Sequence, residues 1–223
     1  MDKAIPADWY AVKPKSIITV SDAQGIQDSM RRGLGVRGID YTVQSIARCN
    51  QVDGLSTHLL FTLGDSEQTT YLVVKIVDEL VDLFLFFEPP GLPSGGRPEL
   101  LERGMQWLFQ APQNPDNFDP ADLRYTMTIH QSVPAADGQG APTDLTYVLK
   151  SQGELQANYT ETPPRQGLPQ EMLATVVEYR TEEPTDNPEL LILEVGEQRS
   201  TQSFVRFFLG CPVKASEVDV LGV

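Results

Sequence analysis

The chain has 223 residues, of which 40% are hydrophobic and 22% charged, with 17 Gly and 17 Pro. That length can bury a core without disulfide staples, and the Pro content favours many short elements over long helices. With 17 basic and 31 acidic residues the net charge is −14, which repels phosphate backbones and anionic lipid and argues against nucleic acid as a partner.

Cys49 and Cys211 lie too far apart in sequence to suggest a disulfide framework. The opening residues lack the apolar centre of a signal peptide, and no apolar run approaches the roughly 18 residues of a membrane span. The expected setting is therefore cytoplasmic, with no membrane insertion.

Residues 1–15 read as irregular, interrupted by Pro6 and Pro14, with Trp9 and Tyr10 as anchors to the core. Residues 17–20 read as a short strand. Ser21 opens a capping-box pattern, and Ala23, Ile26 and Met30 follow at helical spacing, which predicts a helix over about 22–32 that Gly33 would end. The glycines of GLGVRG, residues 33–38, formally match a dinucleotide fingerprint. The order around them is reversed, however: a helix precedes and a strand follows, so no helix N-terminus would meet a pyrophosphate.

Residues 39–48 alternate as a strand and lead to the Asp53-Gly54 hairpin signal. Residues 59–88 are the densest apolar stretch, with three runs, LLFTL, YLVVKIV and LFLFF, separated by polar steps. They predict a buried β-meander. The Pro- and Gly-rich PPGLPSGGRP that follows breaks the chain. Leu101, Met105 and Leu108 then fall on one helical face, which predicts a bridging helix over about 99–110 with Trp107 beside it. Strands are expected at 124–130, 145–149, 172–180, 190–195, 204–209 and 218–221, joined by polar or Pro-rich turns.

The segment from residue 172 to 209 repeats the plan of the first meander: strand, acidic turn, strand, acidic step, Phe-rich strand. An internal duplication would give this pattern, although any two meanders share much of the rhythm. The expected fold is mainly β with minor α: an N-terminal β lobe over 1–90, a linker and bridging helix over 91–120, and a C-terminal β lobe over 121–223. Trp107 and the Phe-rich strands would form the interface between the lobes.

Signals for chemistry are sparse. His58 opens the meander and His130 lies on the polar side of an alternating strand. Cys49 and Cys211 are each a thiol that would need a distant base. Asp116, Asn117, Asp119 and Asp122 crowd oxygen donors into seven residues, as a hard cation prefers, but without the EF-hand order; turn and cap roles explain them as well. Asp78, Glu79 and Asp82 border the meander and either line a cleft or keep the strands soluble. No zinc, nucleophile-elbow or Walker pattern occurs. No catalytic, cofactor or metal residue is therefore assigned.

LGDSEQTTYLVVK, DLFLFF, MQWLF, ELLILEVGE and FFLG together resemble an uncharacterised bacterial β-rich family encoded near phage-shock-type envelope-stress genes. The resemblance implies a cytoplasmic accessory protein and transfers no site residue. Two functional classes are carried forward. One is a non-catalytic protein-interaction or accessory protein, with a protein partner or homo-oligomer engaged through a β surface. The other is an enzyme or small-ligand binder with a site in the cleft between the lobes.

Overall fold

The computed structural model describes residues 6–21, 40–64, 69–88, 105–110, 126–133, 143–181, 189–196 and 204–221. The expected helix over 22–32, the GLGVRG segment, the Pro-rich break after residue 88 and the Asp116–Asp122 cluster lie outside the described residues, as do residues 99–104 of the expected bridging helix.

The chain is mainly β, and among the described residues there is one short helix, α1 (Pro6–Ala11). Twelve strands follow: β1 (Ile17–Val20), β2 (Asp40–Gln51), β3 (Ser56–Gly64), β4 (Thr70–Val77), β5 (Leu80–Phe87), β6 (Met105–Gln110), β7 (Thr126–Val133), β8 (Thr143–Thr162), β9 (Glu171–Thr181), β10 (Glu189–Val195), β11 (Phe204–Val213) and β12 (Val218–Leu221). A 3-10 turn, Ala215–Glu217, precedes β12. Among the described residues no helix is long and apolar enough to cross a membrane.

All twelve strands belong to one antiparallel sheet, in the order β12-β1-β2-β3-β4-β5-β11-β10-β9-β8-β7-β6. A further pairing joins β2 to β8, with Ile46 opposite Thr162 and Gln51 opposite Ala157. That ladder closes eight strands, β2 to β5 and β8 to β11, into a ring. The two meanders therefore do not form separate lobes. They meet along β5 and β11, where Phe87 faces Leu209 and Leu83 faces Val213, and again along β2 and β8. Each half alone would leave two unpaired strand edges, and joining them satisfies those backbone groups. The Phe-rich strands β5 and β11 pair at this junction, whereas Trp107 of the expected interface lies on β6, outside the ring.

Met105–Gln110 is a strand, not the end of a bridging helix; it pairs with β7, Trp107 opposite Ile129. The stretch fits both periods, since Met105, Trp107 and Phe109 also alternate with Gln106, Leu108 and Gln110, and pairing with β7 decides between them. Residues 6–11, read as irregular, form α1, and its Trp9 is buried against Phe61.

Strand alternation sorts the apolar residues into two layers. One lies inside the ring and takes residues from all eight strands, among them Cys49, Leu60, Val73, Phe84, Tyr159, Val176, Leu193 and Phe208. The other lies on the outer face of β2 to β5, where Phe61, Leu72, Val74 and Leu85 are covered by Trp9, Ile18, Val20 and Val218 from α1, β1 and β12. This two-sided burial explains why YLVVKIV is almost continuously apolar. A bulge between Val43 and Ser45 shifts the register of β2. Tyr41 and Val43 accordingly join the outer layer and Ala47 and Cys49 the inner one.

Gly210 marks a close backbone approach between β5 and β11. It pairs with Phe86, and a Cβ there would overlap the Leu85 carbonyl oxygen. Gly210→Ala is expected to push β5 and β11 apart and lower stability by about 2 kcal/mol or more. A urea unfolding midpoint equal to wild type would contradict this packing.

Candidate ionic site inside the barrel

One row of cross-strand partners runs around the inner wall of the ring. Tyr159 faces Cys49, Cys49 faces His58, His58 faces Lys75, and Lys75 faces Asp82. Partners in an antiparallel pair project to the same side, so the sequence places polar groups side by side in an otherwise apolar interior. Glu178, on β9, reaches the row from the opposite wall. Its Oε1 lies 2.8 Å from His58 Nε2, and Lys75 Nζ donates to its Oε2 at 2.5 Å.

His58 is buried, and the side chains of Lys75 and Glu178 are 17% and 13% exposed. Burial pushes the Glu178 carboxyl up, but the hydrogen bond and charge of His58, with the Lys75 ammonium, outweigh it and hold it at about 2. Glu178 is thus an acceptor only, which makes Nε2 the protonated ring nitrogen of His58. The cluster ties β3 and β4 of the first half to β9 of the second. Losing one member would strand a buried charge.

A second polar group sits toward the opposite end of the interior. Arg206 donates to Glu88 Oε1 at 2.5 Å, and its guanidinium lies 4.8 Å from the ring centres of both Tyr71 and Phe208. Burial opposes the charge on Arg206, but Glu88 and the neighbouring tyrosines favour it and raise its pKa above the usual value. The Tyr71 hydroxyl donates to Glu88 Oε2 at 3.1 Å. Burial, with Glu88, pushes that phenol up to about 12 despite the opposing pull of Arg206.

Of the described residues singled out in the sequence, His58 and Cys49 share this interior, and Asp82 stands at the end of the same row. Cys49 is fully buried, and desolvation pushes its thiol up to about 12, so it stays protonated and behaves as a small apolar residue. Cys211 pairs with Leu85 of the outer layer, so it lies across the barrel wall from Cys49. His130 is on β7, outside the closed ring, in register with Gln106 and Thr146. Among the described residues no group of three His, Cys, Asp or Glu side chains is placed to hold a metal ion.

Glu178, Lys75 and Arg206 were not singled out from the sequence. The available signal was a charge set within an apolar strand, Lys75 in YLVVKIV, Glu178 in TVVEYR and Arg206 in FVRFFLG. Neither a scan of protein-family models nor searches of curated proteins and solved structures find a match to this chain.

The depressed Glu178 pKa fixes a pH dependence. The stabilisation is fully present above about 4.5 and is lost as pH falls toward about 2. Glu178→Gln should cost roughly 3 kcal/mol at neutral pH, because Lys75 loses its counter-charge. It should also flatten the fall in stability between pH 4.5 and 2. Urea titrations across that range check both effects, and parallel wild-type and variant curves would rule out the linkage.

Proposed function

We propose that this chain is a non-catalytic interaction module that docks a protein partner on one end of the barrel. The supporting observation is an apolar, acid-ringed rim made by two neighbouring hairpins. Ser56 faces Val77 and Val77 faces Leu80, so the β2–β3 and β4–β5 turns lie side by side at the same end. They carry Val52, Leu55 and Leu80, which are 62%, 62% and 70% exposed. Asp53, Asp78 and Glu79 on the same turns are also exposed.

Isolated exposed aliphatics are ordinary on a protein surface, whereas a cluster of them on adjoining tips is a feature of docking sites. The β2–β3 tip is also rigid. Asp53 Oδ1 accepts from the Leu55 amide at 3.0 Å, Asp53 Oδ2 accepts from Gln51 Nε2 at 2.9 Å, and the Ser56 hydroxyl donates to Gln51 Oε1 at 2.6 Å. A tip ordered in advance loses little entropy on binding. The acids favour a partner segment with apolar and basic side chains, in keeping with the net charge of −14. A cytoplasmic accessory role in envelope stress, as the family resemblance implies, belongs to this proposal.

The test is affinity capture from the native cell with the full chain and with Leu55→Ser/Leu80→Ser. The wild type should recover a stoichiometric partner, and the double variant should lose it while unfolding at a similar urea concentration. Each buried leucine is worth about 1.5–3 kcal/mol of contact. No stoichiometric partner, or equal capture by both proteins, would overturn the proposal.

A further inference from the structure

The hairpin rim presents strand ends, not a strand edge. Just behind the tips, β2 is paired with β8 and β3, β3 with β2 and β4, and β4 with β3 and β5. β5 extends beyond its ladder with β11, which begins at Leu83, and the 3-10 turn Ala215–Glu217 packs against β5. The amides of the β2–β3 tip are engaged as well. Val52 donates to the Gln156 carbonyl at 2.9 Å, Gly54 to the Gln51 carbonyl at 2.9 Å, and Leu55 to Asp53 Oδ1 at 3.0 Å. A partner strand therefore finds no open ladder at the rim to pair with.

An extended segment laid across Val52, Leu55 and Leu80 would bury its own peptide groups without partners, which is costly. A helix brings those groups already bonded. The spacing of the rim also suits one. Successive strands lie about 4.8 Å apart, so the row of ends from β2 to β5 spans about 14 Å. A helical turn rises about 5.4 Å, so roughly nine residues cover that row, and side chains at every third or fourth position meet successive strand ends. The exposed Asp53, Asp78 and Glu79 flank the aliphatics and match basic side chains beside such a stripe. From this geometry we infer that the segment docked on the rim is an amphipathic α-helix with an apolar stripe flanked by lysine or arginine. The inference rests on the rim-docking reading and adds the secondary structure and side-chain pattern of the partner.

Two leucine–lysine peptides of identical composition test the pattern without knowledge of the partner. Each has about 15 residues, long enough for a helix to form on binding. One has leucine at helical spacing, the other at every second position. Each is titrated into the full chain labelled at methyl groups for NMR, with far-UV circular dichroism recorded alongside. The helical-pattern peptide should give saturable shifts at the Val52, Leu55 and Leu80 methyls and gain helix as it binds, and the alternating peptide should do neither. Leu55→Ser/Leu80→Ser should weaken the binding about tenfold or more. Equal binding of both peptides at the rim, binding without gain of helix, shifts that spread over unrelated acidic surface, or shifts that survive the double variant would overturn the helix. If capture from the cell depends on Leu55 and Leu80 but the alternating peptide is the one that binds the rim, the helix falls and rim docking stands. If capture does not depend on those leucines, both fall.

Discussion

The β2–β8 ladder is the constraint on which the rest of the structure depends. Without it, the two meanders form an open sheet with two long edges, and the inner apolar layer has nothing to close around it. With it, residues as distant in sequence as Cys49 and Tyr159 become neighbours. The ring is also balanced in sequence: β2 to β5 come from the first half, β8 to β11 from the second, and the halves meet through their first strands and their last. The similarity of plan seen in the two halves of the sequence thus becomes a symmetry of strand order.

Closure also gives the interior its character. A ring of eight strands is just wide enough for side chains to fill, and Tyr71, Phe84, Phe86 and Phe208 occupy this one. Two charge clusters border this interior, Glu178 with His58 and Lys75, and Arg206 with the more exposed Glu88. Such clusters add little net stability compared with apolar packing, but breaking them is costly. The Glu178 cluster joins β9 to β3 and β4 across the interior, whereas Arg206 and Glu88 lie at the directly paired β5–β11 junction. Among the described residues, Val52, Leu55 and Leu80 on the hairpin rim are the most exposed of the large aliphatic side chains.

Much of the wall was legible from sequence. The runs LLFTL, YLVVKIV and LFLFF, with the Asp53-Gly54 turn, identify β3, β4 and β5 because each is covered on both faces and so carries little polar interruption. β8 was recognised only over its first few residues. Its second half alternates Leu155, Ala157 and Tyr159 inside with Glu154, Gln156 and Asn158 outside, and the register shift between Ser151 and Glu154 hides the continuity. The ring itself was not legible, because strand partners more than a hundred residues apart leave no local periodicity. For the same reason the ionic cluster was half visible: His58 stood out as a rare residue, while Glu178 became meaningful only once β9 faced β3 across the interior.

Cross-strand nuclear Overhauser effects between β2 and β8 in the labelled full-length chain test the central claim most directly. The closed ring predicts Hα and amide contacts between residues 46–51 and 157–162 in the antiparallel register that pairs Cys49 with Tyr159, together with slow amide exchange along both strands. Absence of those contacts, with the facing amides of β2 and β8 exchanging as rapidly as open edges, would contradict closure and the shared interior that depends on it.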